Sequence, residues 1–549
     1  MSRGATAVPG IVLRSERMLC GSTFLQRMET MTTLWLLGLG LLAGMILLAI
    51  YDVTQRKHAI LHNFPIIGHF RYWLEMIGPE LRQYIVTSNN EERPFSRDQR
   101  SWIYASSKKE NNYFGFGSDN DMELAPNYLI IKHSTFPLSS PHPGEPGYDP
   151  HFRSPCAKIL GGYRQRRKAF RPESIINVSG MSYGSLSGPA IEALNRGCQI
   201  AGCLQSTGEG GISPYHRKGG DLVWQIGTGY FGCRELDGRF SEQKLLDTLA
   251  ANPQVKALEI KLSQGAKPGA GGILPRAKIT PEIAEIRGIS SDADCISPAS
   301  HTAFRDTDSL LDFVERLADL TGLPVGIKSA VGESGFWHDL ARQMSTTGRG
   351  VDFITIDGGE GGTGAGPLVF SDHVSLPFKV GFARVQKIIA EYGIDNRVVF
   401  VGSGKLGMPE TALFAFALGC DMVNIAREAL LSIGCIQAQK CHTNHCPTGI
   451  ATQNRWLVSG LDPTLKSERA ANYIVTLRKE LLSLSRACGV EHPALISVDD
   501  LEIIDDRFGS ASIRELFGYA PGVGLPSQED QHSIREWMLA ARVTSRGMT

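Results

Sequence analysis

Three cysteines in the second half of the chain have a spacing that is typical of a redox metal centre. Cys435, Cys441 and Cys446 follow the pattern CxxxxxCxxxxCP. Soft thiolates at this spacing suit an iron–sulfur cluster. A structural zinc site is the alternative, and it would take a fourth ligand from His442 or His445. Because zinc needs that additional ligand, the sequence favours the cluster.

Lysine and amide side chains gather just after a short apolar run. Lys261 ends the run, and Gln264 and Lys267 follow it. Two ammonium groups beside an amide suit the recognition of a carboxylate substrate. Glu209, in the sequence STGEGG, is either a turn residue or a carboxylate that handles ammonia or protons. Lys328 ends another apolar run, and a lysine there would stabilise the anionic reduced ring of a flavin.

Two glycine-rich segments follow apolar runs. GSGKLG at residues 402–407 fits GxGxxG, which is a motif of Rossmann dinucleotide sites. No acidic residue ends the next run, which stops at Arg427 instead. If the two apolar runs are the seventh and eighth strands of a (β/α)8 barrel, the glycine-rich turn fits a phosphate site, where backbone amides and a helix N-terminus meet the phosphate. We expect a flavin phosphate there. GEGGTG at residues 359–364 is either a flexible loop or a loop that lets a ligand approach the backbone.

The segments that carry these residues belong to an alternating α/β pattern. Short apolar runs are followed by helical stretches, which predicts a parallel sheet. Eight strand candidates occur, the number that a (β/α)8 barrel requires, and barrel chemistry lies at the carboxyl ends of strands. An insertion at residues 263–323 separates the fourth strand from the fifth. The candidates are residues 175–180, 203–208, 222–229, 257–262, 324–329, 352–357, 398–403 and 422–427.

The net charge and the distribution of cysteines bear on the possible ligands and on the compartment of the protein. The chain has 549 residues, with 56 basic and 56 acidic side chains. No basic stripe alternates with aromatic residues, so the sequence gives no electrostatic case for nucleic acid binding. Apart from the triplet, the eleven cysteines are scattered. This usage favours a reducing compartment.

Residues 30–51 form an uncharged, leucine-rich stretch of 22 residues. This length is sufficient to cross a bilayer core. A cleaved signal peptide is the rival interpretation, but no small-x-small cleavage site follows Leu48. The chain continues directly with Asp52 and Val53, and then reaches Arg56 and Lys57. We predict a single-pass membrane protein whose catalytic part lies on the cytoplasmic side, where a reduced cluster survives.

With these residues in view, the chain resembles the flavin-binding synthase domain of the glutamate synthase family. The strings KxxQGAKPG and CxxxxxCHTNxCP are very specific to that family. Matches recur in the family's order over roughly residues 110–490. The matching segments are SGMSYGSLS (179–187), STGEGG (206–211), KLSQGAKPGAGG (261–272), DGGEGGTGAGP (357–367) and GCIQAQKCHTNHCPTGIATQ (434–453).

The resemblance implies a (β/α)8 barrel with FMN and a 3Fe-4S cluster on the three cysteines. It implies the reduction of 2-iminoglutarate, which forms from 2-oxoglutarate and ammonia. Lys261, Gln264 and Lys267 would then hold the oxoacid. The residues implied to surround FMN are Met181, Ser182, Thr207, Lys328, Gly359 and Gly404.

The domain organisation departs from that of full-length bacterial and plant-type enzymes. Neither a glutaminase domain nor a glycine-repeat β-helix is recognisable, and a membrane helix is added. We therefore expect free ammonia or an amine as the nitrogen source, with 2-oxoglutarate or a related oxoacid. The predicted regions are a membrane helix at 30–51, a lead-in at 52–165, an FMN-binding barrel at 166–460 and a helical extension at 461–549.

Two hypotheses of different classes remain at this point. The first is an FMN and iron–sulfur oxidoreductase of glutamate synthase type, which reduces an imine. The second is a membrane-bound electron-transfer subunit without a carboxylate substrate of its own. Lys261, Gln264 and Lys267 favour the first, since an electron carrier does not need a carboxylate clamp. The electron donor is unknown, and ferredoxin or a reductase subunit would serve.

Overall fold

The computed structural model describes residues 15–145, 148–505 and 509–544. The chain divides into two compact units, residues 1–92 and residues 93–549. The strands are β1 Tyr128–Ile131, β2 Ile176–Val178, β3 Gln205–Ser206, β4 Leu222–Ile226, β5 Val255–Lys261, β6 Ile273–Leu274, β7 Cys295–Ile296, β8 Val325–Ser329, β9 Phe353–Asp357, β10 Val399–Ser403, β11 Met422–Ile425, β12 Leu501–Ile504 and β13 Ser510–Ser512.

The α-helices differ widely in length, from four residues to forty. They are α1 Ser15–Thr54, α2 Ala59–Asn63, α3 Ile67–Leu81, α4 Arg97–Lys108, α5 Gly188–Ala201, α6 Glu242–Ala250, α7 Pro281–Arg287, α8 Thr307–Thr321, α9 Gly335–Thr347, α10 Leu368–His373, α11 Phe378–Glu391, α12 Pro409–Ala417, α13 Arg427–Ser432, α14 Arg455–Val458, α15 Pro463–Ala487, α16 Ile513–Phe517 and α17 Gln528–Thr544.

The first unit contains α1, α2 and α3. Within the described residues, the part of α1 at Met28–Thr54 is long and apolar enough to cross a membrane, with a mean hydropathy of 2.3. The most apolar part of this stretch is not buried inside the protein. Signal sequences share this length and composition, so the helix by itself does not establish a membrane span.

The second unit is built around a closed barrel of eight parallel strands. Their order around the barrel is β10, β11, β2, β3, β4, β5, β8 and β9. The residues of β8, β9 and β10 are all buried, as expected for parallel strands covered by helices. The expectation of an α/β fold with a (β/α)8 barrel is therefore confirmed. Each of the eight predicted runs overlaps one barrel strand, and β5 begins two residues before its predicted run.

Local signals in the sequence set the ends of the surrounding helices. Ser187 accepts a hydrogen bond from the backbone of Ala190 and begins α5, whereas Gly202, at φ 64°, ends it. Asp306 caps α8 in the same way. Side-chain oxygens at these positions satisfy backbone N–H groups that have no partner within the helix. Helix α8 lies within the insertion at residues 263–323.

The C-terminal extension is mainly helical, as expected, but it also contains two strands. In a small antiparallel sheet, β12 pairs with both β13 and β1, and Tyr128 lies opposite Ile504. The lead-in thus contributes a strand to the extension. The insertion forms a second pair, β6 with β7. Local sequence patterns predict such short strands poorly, because the strands depend on partners that are distant in sequence.

Buried ion pairs join the amino-terminal end of the barrel to the segment that precedes it. The Arg166 guanidinium donates to both carboxylate oxygens of Asp352, at 3.1 and 3.0 Å. It also donates to Glu315 at 2.6 and 3.0 Å. Asp352 accepts a further bond from the backbone of Val325 at 2.8 Å. This face of a barrel usually serves stability rather than catalysis.

We predict that Arg166→Ala will destabilise the protein without changing its cofactor content. The substitution leaves the buried Asp352 carboxylate without its main cation, which typically lowers the free energy of unfolding by about 3 to 5 kcal/mol. Thermal unfolding measures the effect as a fall in Tm. Arg167→Ala is the control, because the Arg167 side chain is exposed and donates to a backbone carbonyl. Equal Tm values for the two variants would contradict this role.

Candidate active site at the carboxyl end of the barrel

A cavity of about 750 Å³ opens at the carboxyl ends of the barrel strands. This volume is typical of a site for a cofactor or small ligand. The cavity brings together residues from all eight barrel strands or the loops after them, together with the cysteine segment. The sequence-predicted residues that line it are Met181, Ser182, Glu209, Lys261, Gln264, Lys267, Lys328, Gly404, Arg427, Cys435, Cys441 and Cys446.

Lys261 lies at the end of β5 and is held by two side chains. Its Nζ lies 3.0 Å from Glu209 Oε2 and donates to Gln264 Oε1 at 2.5 Å. Gln264 in turn donates to the hydroxyl of Thr363 at 3.2 Å. The loop after β5 is thereby joined to the glycine-rich loop after β9. Lys261 and Gln264 consequently have fixed positions in the cavity wall.

Lys267 also lies in the loop after β5, but its hydrogen-bond acceptor is neutral. Its Nζ donates to the Ala365 carbonyl at 2.8 Å. Burial lowers the pKa of Lys267 to about 8, since the charge of Glu209 only partly offsets the loss of hydration and the charge of Lys261. An anion bound beside Lys267 would supply the missing compensation.

Glu209 is an ionised carboxylate within a cationic region. Burial by itself would raise the pKa of Glu209, but Lys261, Lys267 and Arg287 outweigh it and hold that pKa below its usual value. The group therefore stays negatively charged near neutral pH. It fits the binding of a cation better than the donation of a proton.

Lys328 lies beside Lys261 and has a carboxylate of its own. The register of β5 and β8 places the two lysines opposite each other. Lys328 Nζ lies 3.4 Å from Asp357 Oδ2, and that oxygen also accepts the backbone N–H of Gly265 at 3.0 Å. Burial lowers the pKa of Lys328, but Asp357 and Glu259 outweigh it, so the pKa is raised overall. The ammonium group is therefore charged.

The loops after β10 and β11 supply glycine and two further cations. Gly404 has a φ of 128°, a conformation that favours glycine. Lys405 and Arg427 both lie against the ring of Phe95, at 5.3 Å from its centroid. Burial lowers the pKa of Lys405, and Arg427 lowers it further. Two cations this close together suit a doubly charged anion such as a phosphate monoester.

The three predicted cysteines face the same cavity as the lysines. The ten cysteines from Cys156 to Cys488 are free thiols. Tyr104 in α4 donates to the Cys435 carbonyl at 2.7 Å, and Lys278 donates to the Cys441 carbonyl at 3.2 Å. Hydrogen bonds from the lead-in and from the insertion therefore position this segment.

The thiols differ in their electrostatic environments. Burial raises the pKa of Cys435 to about 12 and also raises that of Cys441. Burial opposes ionisation of Cys446 too, but hydrogen bonds from Thr448 and Ala451 lower its pKa overall. Among the described residues, no three Cys, His, Asp or Glu side chains are placed to hold a single metal ion. An iron–sulfur cluster has different requirements, because each thiolate binds a different iron.

Two of the residues implied to surround FMN do not line the cavity. The Thr207 hydroxyl donates to the Gly208 carbonyl at 2.9 Å and accepts the backbone N–H of Gln225 at 3.1 Å. Gly359 donates its backbone N–H to Leu376 at 2.9 Å. Both are used for local structure, and residues 361–366 line the cavity in place of Gly359.

Other cavity residues were missed in the sequence. Asp357 ends a predicted strand, so its position at the carboxyl end of β9 was a usable signal. Arg287 lines the cavity from the insertion, where no sequence motif marks it. Lys278, also in the insertion, does not line the cavity but donates to the Cys441 carbonyl. Phe95 lies in the lead-in, to which no function was assigned. Insertions and lead-ins reach a site through tertiary contacts that sequence periodicity does not show.

The fold and the cavity define a (β/α)8-barrel protein with a cationic site beside three thiols. Comparison with known proteins identifies the family. Residues 157–491 match the model of the conserved region in glutamate synthase. The chain therefore belongs to the glutamate synthase family. This membership supports a flavin-dependent oxidoreductase and confirms the resemblance seen in the sequence.

Individual relatives agree with this assignment. The chain is 39% identical to the glutamate synthase large subunit-like protein YerD of Bacillus subtilis, over 81% of this chain and 89% of that protein. It is 30% identical to a glutamate synthase large subunit-like protein of Rhizobium meliloti, over 64% of this chain and 79% of that protein. It is 34% identical to the archaeal glutamate synthase [NADPH] of Methanocaldococcus jannaschii, but spans only 63% of that enzyme.

We predict that Gly265→Ala will reduce the amount of bound flavin. An added Cβ at this position would lie 1.8 Å from the Gly358 carbonyl oxygen. The loop must then move away from β9 and lose the bond to Asp357, at an overpacking cost of about 1 to 3 kcal/mol. Flavin released on denaturation, per mole of folded protein, measures the change. Gly332→Ala is the control, since nothing lies within 4 Å of its added Cβ, and equal flavin content in both would refute the prediction.

Proposed function

We propose that the protein is an FMN and iron–sulfur oxidoreductase of glutamate synthase type. Its substrate is an imine formed from 2-oxoglutarate or a related oxoacid with ammonia or an amine. The observation that carries the proposal is the convergence of Lys261, Gln264 and Lys267 on the cavity that three cysteines also line. An electron carrier without a substrate has no use for this cationic wall.

The residues of the cavity fit FMN. Gly404, Lys405 and Arg427 would hold the phosphate, because the ends of the seventh and eighth strands form the usual phosphate site of a barrel. The charged Lys328 would lie near the pyrimidine part of the ring and stabilise negative charge there. When bound, FMN supplies hydride chemistry and connects it with single-electron carriers. Met181 and Ser182 also line the cavity and would contact the cofactor.

The oxoacid would bind between the loops after β5 and β9. Lys267 is the best candidate for contact with a substrate carboxylate, since its Nζ donates to a neutral carbonyl, that of Ala365. Lys261 is already joined to Glu209 and Gln264, so it would fix the other end of the substrate through this network. The clamp would orient the carbon–nitrogen double bond toward the reducing cofactor.

Glu209 would act on the nitrogen of the substrate. Its carboxylate is ionised and lies in the loop after β3, 3.0 Å from Nζ of Lys261. An ammonium ion or a protonated imine is attracted to such a group. The role that fits its lowered pKa is therefore to hold the nitrogen as a cation, which makes the neighbouring carbon more electrophilic.

The three cysteines fit the 3Fe-4S cluster that the family implies. They are soft donors on one cavity wall, and a cluster lets each thiolate bind its own iron. Ligation would release protons from Cys435 and Cys441, whose pKa values are raised in the free protein. The cluster would receive single electrons from ferredoxin or a reductase subunit.

The membrane helix completes the proposal. Residues 30–51 would cross the bilayer once, as the apolar stretch Met28–Thr54 of α1 supports. Basic residues flank the stretch on both sides, with Arg17 and Arg27 before it and Arg56 and Lys57 after it, so their count does not set the orientation. The catalytic part would lie on the cytoplasmic side, because a reduced cluster survives in that compartment.

One experiment tests the catalytic proposal directly. Detergent-solubilised protein is purified anaerobically and its flavin is reduced. Oxoacids are then added with ammonia or methylamine, and flavin reoxidation is recorded. Reoxidation that needs both the oxoacid and the nitrogen compound supports an imine reductase. Reoxidation by a quinone or a protein acceptor alone would instead favour the electron-transfer subunit.

We predict that Lys267→Ala will weaken binding of 2-oxoglutarate about ten- to a hundredfold, because it removes a charge-assisted hydrogen bond. Titration of the flavin absorbance with the oxoacid alone measures affinity. In the parent protein the affinity falls as the pH rises above about 8, since the ammonium that binds the carboxylate loses its proton there. Lys267→Ala loses this pH dependence.

Lys256→Ala is the matched control for that titration. Lys256 lies near the opposite end of β5, where its side chain is 41% exposed and 3.8 Å from Asp221. Its removal should leave both affinity and pH dependence unchanged. If Lys267→Ala kept the parent affinity, or if the parent protein bound no oxoacid, the proposed clamp would be wrong.

We predict that Cys441→Ser will abolish the paramagnetic resonance of an oxidised 3Fe-4S cluster while the protein retains its flavin. The change removes one of three thiolate ligands, and a serine hydroxyl is a poor replacement for a soft donor. Low-temperature spectra and iron analysis measure the effect. Cys488→Ser, outside the cysteine triplet, should keep the signal. Stoichiometric zinc without iron in the parent protein would exclude the cluster.

A further inference from the structure

The helix α3 has an apolar face that is largely exposed. Ile67, Phe70, Leu74, Ile77 and Leu81 recur every three or four residues, which places them on one side of a helix. We name these five residues the apolar stripe. Phe70, at its centre, is 59% exposed, and Ile67 is 77% exposed. Trp73 borders the stripe and is half exposed. A soluble helix normally buries such a face.

The other side of α3 is fixed to the end of α1. The buried carboxylate of Asp52 accepts the backbone N–H of Ile66 at 2.9 Å. It also lies 2.9 Å from Nε2 of His69. Gly68 lies so close to α2 that an added Cβ would be 3.0 Å from Leu61 Cδ2. These contacts hold the start of α3 directly after the apolar stretch of α1, with the stripe turned away from α2.

We infer that α3 is an interfacial helix whose apolar stripe lies in the surface layer of a lipid bilayer. The inference rests on the proposed membrane span and extends it to a second attachment. Continuity is the main argument, because the contacts of Asp52 keep α3 next to the point where α1 would leave the membrane. Trp73 beside the stripe agrees with the preference of tryptophan for the membrane–water boundary.

The net charge around α3 indicates whether its attachment requires anionic lipids. Residues 52–86 contain four cations, Arg56, Lys57, Arg71 and Arg82, and three carboxylates, those of Asp52, Glu75 and Glu80, for a net charge of +1. Anionic lipid adds attraction in proportion to the number of basic residues near the surface. With so small a net charge, burial of the apolar stripe must supply most of the affinity. Attachment should therefore occur on neutral phosphatidylcholine.

Lipid photo-crosslinking of the full-length protein tests the inference. The protein is reconstituted in phosphatidylcholine vesicles that contain a lipid with a diazirine in its acyl chain, and adducts are mapped by mass spectrometry. The parent protein should give adducts in residues 64–86 as well as in residues 28–54. Phe70→Glu should reduce the adducts in α3 about tenfold or more, since it replaces an aromatic ring that would insert into the lipid by a charge.

Met76→Glu is the matched control. Met76 lies on α3 outside the stripe and is 66% exposed, so the substitution adds the same charge to an exposed apolar position. Its adducts should equal those of the parent protein, and equal losses in both variants would refute the assigned face. Adducts in α1 alone, or crosslinks between two copies of α3, would overturn the inference and leave the membrane span intact. An absence of adducts from both helices would refute the span itself.

Discussion

The cavity depends on the compensation of two like charges that the barrel places side by side. Lys261 and Lys328 occupy matched positions on neighbouring strands, and both are largely buried. Each ammonium needs its own carboxylate, and the structure provides Glu209 for the first and Asp357 for the second. Because Asp357 also binds the backbone of Gly265, the same group fixes the loop that carries Gln264 and Lys267. The same carboxylate therefore neutralises Lys328 and fixes the position of the loop after β5.

Charged side chains with partners also lie deeper in the barrel, below the cavity, and at its amino-terminal face. Glu259 precedes Lys261 by two residues, so its side chain also points into the barrel. It accepts a hydrogen bond from Thr355 at 2.7 Å, and its charge helps to keep Lys328 protonated. At the amino-terminal face, Arg166 neutralises Asp352. The interior charges are thus paired within the protein, whereas Lys267 at the mouth has a neutral partner and can bind an anion from outside.

The sequence predicted the barrel and the ends of its strands because buried parallel strands are continuous apolar runs. Lys261 and Lys328 were recognisable for the same reason, since each is a charge that ends such a run. Thr207 was harder to place, because a hydroxyl at a strand end serves the backbone as readily as a ligand. The position of Phe95 beside Lys405 and Arg427 could not be predicted, since it depends on the docking of a segment more than 300 residues away along the chain.

The lead-in shows that the catalytic unit begins earlier than the family motifs do. The family match starts at residue 157, and the sequence alone placed the barrel region at residue 166. Phe95 nevertheless lines the cavity, and its backbone N–H and C=O bond to the side chain of Gln437 at 3.0 and 3.1 Å. Tyr104 binds the carbonyl of Cys435. Two residues of the lead-in thus hold the cysteine segment on the same wall that bears the cations. A protein cut at residue 165 would retain every family motif and lose this support, so the functional unit must include residues from 93 onward.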